Sequence, residues 1–480
     1  MSSQFKETFF SHLPGEASSD QLDLIDRMER FLFQPIDRPA FIIRGYAGTG
    51  KTTAVGALVK TLPRFRYKSV LLAPTGRAAK VLSKFSQKPA FTIHKKIYQS
   101  KKGADGQVRF ELAANLHTNT VFMVDEASMI ADKGGILSSS DWQSRSLLED
   151  LMEYVYSGKN CRLVLIGDIA QLPPVGSELS PALDPKYLQS NFNLKLKGVE
   201  LKEVLRQAKQ SGILQNATTL RQQIASEEPK ILFDTAGFED VKRINGMELE
   251  DELHQAVADF GEEEVMIVTR SNKRANEFNQ QVRIRIRGQE EEISTGDFIM
   301  VVKNNYFWLG EKAPAGFIAN GDIAEVMGLG NEEHLHGFRF IEASLRLLDY
   351  PKQPTIEAKL LLDVIQSESP ALEKEKSMQL YQSVKADYFD LSTKKKQNEA
   401  IRKDPYLNAL QIKFAYAVTC HKSQGGQWKA VFVDQGYLTE EMVDKEYLRW
   451  LYTAITRATE RLYLVNFHPQ FFGEEAFLKV

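Results

Sequence analysis

The chain has little cysteine. Its 480 residues include only Cys161 and Cys420, far apart and without partner His or Cys spacing, which argues against a disulfide framework and a zinc site. No apolar run approaches the ~20 residues of a membrane span. The start, Met1-Ser2-Ser3-Gln4-Phe5-Lys6-Glu7, lacks the basic stretch and apolar core of a secretory signal. A cytoplasmic protein with no membrane partner is expected. An excess of one charge is also missing: Lys+Arg 61 stand against Asp+Glu 63, a net charge of −2. A small nucleic-acid-binding domain is often strongly basic, whereas a large motor needs positive charge only along its strand channel. The balance therefore leaves nucleic acid open as a partner. No fixed-period repeat is visible. What is there is globular in character, with 43% hydrophobic and 26% charged residues, and the length suits two to four domains.

Apolar runs of strand length alternate with helical stretches. Ala40–Ile43, Ser69–Ala73, Thr120–Val124 and Arg162–Gly167 read as buried strands, which predicts a parallel, doubly wound sheet. Upstream, Gln21–Leu32 reads as a helix with Leu22, Ile25, Met28 and Leu32 on one face, capped from Ser18-Ser19-Asp20. The pattern returns in Glu264–Val268, Lys429–Asp434 and Arg461–Val465, with a helix expected over Arg270–Arg283. Two α/β lobes follow. Two stretches break the pattern. Ile97–Leu112, with Gly103-Ala104-Asp105-Gly106, reads as a hairpin. Residues 297–408 hold short strands and an Asn320-Gly321 turn, a β-rich insert whose tail, Ser377–Lys403, is polar.

Gly45-Tyr46-Ala47-Gly48-Thr49-Gly50-Lys51-Thr52 fits G-x-x-x-x-G-K-[ST] in full, between an apolar strand and a helix. Gly45, Ala47, Gly48, Thr49, Gly50, Lys51, Thr52 and Thr53 are the expected ATP-binding residues. Glycines let backbone N–H groups curl around phosphate, and the helix N-terminus adds positive potential. Lys51 is expected to reach the β- and γ-phosphates and Thr52 to ligate Mg²⁺. Asp125-Glu126 end the third strand, where open α/β sheets bind ligands. Asp125 is expected in the Mg²⁺ shell and Glu126 as acceptor of the proton from the attacking water.

A phosphate loop and an acid pair alone fit any NTPase. Gly167-Asp168-Ile169-Ala170-Gln171-Leu172-Pro173-Pro174-Val175 narrows the choice, because this segment resembles the superfamily-one helicases. Other segments fall in that family's order: Ala73-Pro74-Thr75-Gly76-Arg77, Thr92-Ile93-His94, Leu205-Arg206-Gln207, Tyr416–Gly425 and Tyr452–Ala458. The resemblance is to the RecD/Dda-like branch, and it covers both lobes well and the insert poorly. It implies two RecA-like P-loop NTPase lobes, with a small hairpin insert in the first and an SH3-like insert in the second. The expected division is lobe one over 1–93 and 116–205, the hairpin over 94–115, lobe two over 206–296 and 409–480, and the β-rich insert over 297–408. The first lobe begins within about 40 residues of the start, so a bare helicase core is expected.

By the same resemblance Gln171 senses the γ-phosphate, and Arg206 and Arg457 act as arginine fingers in cis. Gln424 and Gly425 join the ATP site. Gln21 stands where the family's adenine-reading glutamine does, although glutamine is also common on helix surfaces. Pro74, Thr75, His94, Thr419, His421 and Ser423 are the candidates for strand contact, with Lys95-Lys96 and Lys101-Lys102 adding charge. Lys394-Lys395-Lys396 reads as a solvated charge run. Tyr98 and Phe110 flank the hairpin turn and either stack on an end base pair or form the hairpin's own small core. The expected activity is ATP-dependent unwinding of DNA, 5′ to 3′, in replication, recombination or repair. The expected cofactors are ATP and Mg²⁺. The expected partners are single-stranded DNA and duplex junctions, with single-strand-binding or repair proteins besides. A monomer suffices, because both fingers lie in one chain. Three alternatives stay open: an RNA or RNA–protein remodelling helicase, a non-catalytic subunit of a repair complex, and a metabolite kinase, in which the late motifs have no role.

Overall fold

The computed structural model describes residues 2–102, 108–132, 146–204, 210–226, 229–310 and 313–474. The first lobe holds β1 (Pro39–Gly45), β2 (Lys68–Ala73), β3 (Ala90–Thr92), a hairpin of β4 (Tyr98–Lys102) and β5 (Val108–Leu112), then β6 (Thr120–Val124), β7 (Arg162–Gly167) and β8 (Lys195–Leu201). Apart from the hairpin these make one parallel sheet in the order β3-β2-β6-β7-β1-β8. The central strands are apolar throughout because helices cover both faces. One face packs on Phe31, Val55 and Leu58, the other on Leu148, Leu151 and Val155. Since all six strands run the same way, the loops after β1, β2, β6 and β7 share one edge of the sheet.

The second lobe repeats this with β9 (Val241–Ile244), β10 (Val265–Thr269), and, later in the chain, β16 (Ala417–Thr419), β17 (Trp428–Asp434) and β18 (Ala458–Val465), parallel in the order β16-β10-β17-β18-β9. Between β10 and β16 the chain leaves to form a closed barrel of β11 (Phe298–Val301), β12 (Ile323–Leu335), β13 (Phe338–Leu347), β14 (Ile356–Leu361) and β15 (Leu410–Phe414). Closure removes exposed strand edges. The closing strand, β15, lies just beyond residue 408. The polar tail before it forms two helices, Lys374–Asp387 and Lys394–Lys403. The barrel shares one continuous apolar core with the second lobe. Arg283 and Asp297 pair at 3.0 Å in that core, both essentially unexposed.

The second helix of the chain, Ser19–Phe33, follows a first one over Ser2–Phe10 and starts on a reciprocal cap between Ser18 and Gln21. It buries Leu24, Ile25, Met28, Phe31 and Leu32, whereas Leu22 is exposed. The face is thus rotated from the expected one, because Leu24 and Phe31 add two large apolar groups to the i, i+3, i+4 series that Ile25, Met28 and Leu32 begin. The helix expected over Arg270–Arg283 is α-helical from Asn272 to Gln281 and continues as a π-turn over Val282–Ile286. Among the described residues no helix is long and apolar enough to cross a membrane.

Candidate functional site

The loop after β1 is shaped by glycine. Gly48 and Gly50 take φ of 74° and 76°, the left-handed region that favours residues without Cβ. A Cβ on Gly45 would lie 2.7 Å from Cγ of Lys51. Helix Lys51–Thr61 starts directly after Gly50, so its free N–H groups face the loop. Lys51 Nζ donates to the Tyr46 carbonyl at 2.8 Å and lies 4.0 Å from Asp168 Oδ2. Thr49 Oγ1 also donates to the Tyr46 carbonyl, at 2.8 Å.

Asp125 and Glu126 follow β6. Glu126 sits at φ 50°, which turns the chain sharply, and its N–H donates to Asp125 Oδ1 at 2.9 Å. Burial, and then the charge of Glu126, push the Asp125 carboxyl up to about 7, with Lys51 pulling the other way. Glu126 Oε2 and Gln171 Oε1 are buried with no hydrogen-bond partner among the described residues. A site with an orphaned carboxylate oxygen and an aspartate short of positive charge fits a divalent cation beside Thr52.

The second lobe closes this site. A cavity of about 380 Å³ is walled by Gly48, Gly50, Lys51, Thr52, Thr53, Asp125, Glu126 and Gln171 from lobe one and by Gly425 and Arg457 from lobe two. Arg457 is buried and donates to the carbonyls of Thr453 at 2.9 Å and Gly426 at 3.1 Å. The segment after β7 plugs into lobe two. Ala170 and Leu172 belong to that lobe's core, the Leu172 N–H donates to Thr453 Oγ1 at 2.9 Å, and Gln424 Nε2 donates to the Leu172 carbonyl at 2.7 Å. Arg77 of lobe one lies over the Trp428 ring of lobe two, 4.1 Å from its centroid.

Several expected site residues have other employment here. Gln21 is buried, and its Oε1 accepts the Ser18 N–H at 3.1 Å as part of the helix cap. Gln424 bridges the lobes rather than lining the cavity. Ser423 is fully buried and donates to the Cys420 carbonyl at 2.8 Å. Thr75 Oγ1 caps its own helix, accepting the Ala78 N–H at 3.2 Å. Pro74 and Thr419 are half-buried at strand ends and His421 is half-buried in the short helix Cys420–Ser423, where burial lowers its imidazole. Arg206 lies outside the described residues. So does the side chain of Phe110, whose backbone pairs with Ser100 in the hairpin.

Tyr98 and His94 stand at the hairpin root. Tyr98 Oη donates to Asp150 Oδ2 at 2.7 Å, which ties the root to lobe one. The His94 ring lies 5.7 Å from that of Tyr98 and 6.3 Å from Phe317 of the barrel segment. Burial lowers its imidazole to about 4, so it is neutral near pH 7. Lys95 Nζ donates to the Pro314 carbonyl. Together they line a second cavity, about 800 Å³, whose far wall includes Lys303, Tyr306, Phe317 and Arg402. The Tyr306 and Phe317 rings are 4.8 Å apart and tilted by 31°. Sequence reasoning missed this wall, although Lys303-Asn304-Asn305-Tyr306-Phe307-Trp308 sets a lysine close to three aromatics. It also missed Asp168 and Tyr452 as individual site residues inside motifs otherwise noticed.

Residues 36–238 match the model of an AAA domain, and residues 414–465 that of a UvrD-like helicase C-terminal domain. The chain is 28% identical to the ATP-dependent RecD2 DNA helicase of Deinococcus radiodurans over 176 residues, 37% of this chain and 21% of the relative. It is 30% identical to the ATP-dependent DNA helicase dda of Enterobacteria phage T4 over 154 residues, 31% of this chain and 32% of the relative. The chain thus spans about a third or less of these two curated relatives. A crystal structure of Pif1 helicase from Bacteroides with ADP-AlF3 and ssDNA is similar over 95% of this chain and 94% of that one, at 13% identity and a TM-score of 0.46. The domain matches and the two relatives bear out the expected resemblance to superfamily-one helicases of the RecD/Dda-like branch.

Proposed function

We propose that this chain, which carries an AAA domain and a UvrD-like helicase C-terminal domain and resembles the RecD and Dda helicases, is an ATP-driven DNA helicase that moves 5′ to 3′ along single-stranded DNA. One observation carries the reading: the cavity at the phosphate loop has walls from both lobes. A nucleotide bound there feels lobe motion, and lobe motion feels hydrolysis. The loop amides and Lys51 hold the phosphates, Glu126 accepts the proton of the attacking water, and Gln171 senses the γ-phosphate. Arg457 and Arg206 stabilise charge on the transferring phosphoryl from lobe two. Thr52 and Asp125 would hold a magnesium ion, which would neutralise charge on the phosphate oxygens.

The strand runs past Thr75, Thr419 and His421 and through the larger cavity, where Lys95, Lys303 and Arg402 meet the phosphates and Tyr306 and Phe317 offer stacking faces. The barrel is read as an SH3-like module that walls this channel. The hairpin is read as the wedge at a duplex junction. The polarity comes from the RecD/Dda resemblance. The protein works as a cytoplasmic monomer in DNA replication, recombination or repair, beside single-strand-binding or repair proteins.

ATP hydrolysis with and without single-stranded DNA, with matched RNA in parallel, tests the reading. Stimulation by DNA is expected. Stimulation by RNA alone keeps the ATP site and overturns the DNA assignment. No stimulation by either overturns the motor.

A further inference from the structure

We infer that Tyr452 is a positioning residue of the phosphate loop, reaching it from the opposite lobe through its phenol. The inference rests on the ATP-site reading above. Tyr452 stands on helix Lys445–Ile455 of lobe two and is fully buried. Its oxygen accepts the N–H of Ala47, inside the loop, at 2.8 Å. It donates to Oδ2 of Asp168, after β7, at 2.6 Å. Burial and the charge of Asp168 push the phenol well above its ordinary value, so the proton stays on Tyr452 and the direction of donation is fixed. The other oxygen of Asp168 accepts the Ala170 N–H at 2.9 Å.

Lys51 lies 4.0 Å from the same Asp168 oxygen. Lysine and tyrosine therefore share one buried carboxylate. When a phosphate enters the loop, Lys51 turns to it and away from Asp168. The carboxylate is then a buried charge held by hydrogen bonds alone, and removing one of them leaves it poorly compensated. Asp168 holds Tyr452 more strongly with nucleotide bound than without. By linkage, a second lobe that keeps Tyr452 seated strengthens nucleotide binding by the same factor. The Leu172–Thr453 bond also joins the lobes but touches neither the loop nor the carboxylate, so Thr453 separates loop positioning from general lobe adhesion.

The experiment titrates the full chain with a fluorescent ATP analogue and measures steady-state ATPase for the wild type, Y452F, D168N, the double variant and T453V. Y452F is expected to weaken the analogue about tenfold and raise the KM for ATP by a similar factor, with kcat at saturating ATP changed much less. The double variant is expected to lose no more than D168N, because the two groups act as a unit. T453V is expected to keep nucleotide affinity within about twofold. Unchanged affinity in Y452F, additive losses in the double variant, or the same loss from T453V overturns the inference. If Y452F does not fold, D168N decides, and wild-type affinity there overturns it. A wild type that binds the analogue but never hydrolyses ATP strikes the ATPase reading instead, and the titrations still judge Tyr452.

Discussion

The cleft between the lobes takes its walls from short runs at the carboxyl ends of parallel strands, whereas the cavity at the hairpin root takes its walls from a helix end, a barrel loop and a helical tail. In the first, each side chain is placed by a strand, a sharp turn and a helix start, so a few consecutive residues fix the chemistry. In the second, His94, Tyr306 and Arg402 come from three separate stretches and meet only because the barrel folds back against lobe one. The cleft is also bridged by specific hydrogen bonds such as Gln424 to Leu172, while barrel and lobe two share an apolar core. An interface of two apolar side chains, Ala170 and Leu172, and a few discrete bonds can open at small cost. A shared core cannot, without exposing apolar surface at roughly 25 cal/mol per Å². The mobile joint is therefore expected between the lobes, with the barrel riding on lobe two.

The sharpest way to break this contrast is Lys51→Ala. It should reduce hydrolysis to background and leave binding of single-stranded DNA near that of the wild type, measured by ATPase assay and fluorescence anisotropy. Comparable losses in both would mean that the cleft and the cavity are not separate sites. Next comes Arg457→Ala, expected to slow hydrolysis by about 10³-fold while retaining ATP binding. Because Arg457 also ties Thr453 and Gly426 together, a melting curve must accompany it. Wild-type turnover would remove Arg457 from the phosphoryl site.

The cleft was legible because its chemistry is local. Gly45 to Thr52, Asp125-Glu126 and Gly167 to Gln171 announce strand, turn and phosphate cradle within a handful of residues, and the structure brings them around one cavity. What was not legible depends on packing between distant segments. Nothing near Gln21 says that its amide is taken up by Ser18. Nothing near Ser423 says that its hydroxyl turns inward to Cys420. Leu22 and Leu24 differ by two positions on a helix, and only the surface beneath decides which is buried. The larger cavity was missed for the same reason, since a stretch such as Lys303 to Trp308 looks like any mixed loop until a partner wall faces it.

That wall can be tested more gently. Tyr306→Ala should weaken single-stranded DNA by about 1–3 kcal/mol if one base stacks there, read as a rise in the DNA concentration that half-saturates anisotropy and ATPase stimulation. An unchanged midpoint would assign Tyr306 to packing against Phe317 and would move the strand elsewhere.

The smallest effect concerns His94, which a basic-patch argument would treat as a switchable cation. Burial holds its imidazole at about 4, below the ordinary value of about 6.5. The folded state therefore binds fewer protons there than the unfolded state between those values, so stability rises with pH in that window. The contribution is present above about pH 6.5 and is lost as pH falls towards 4. Two results follow for His94→Gln. Its DNA affinity should show the same slope as the wild type between pH 8 and pH 6, because the histidine is neutral across that range. Its melting temperature should fall less than that of the wild type between pH 6.5 and pH 4, because a glutamine has no proton to take up. A steeper gain in DNA affinity for the wild type on going from pH 8 to pH 6 would show that His94 gains charge beside the strand. The cavity would then be a titrating site, and its contrast with the cleft would no longer be one of fixed charge and stacking.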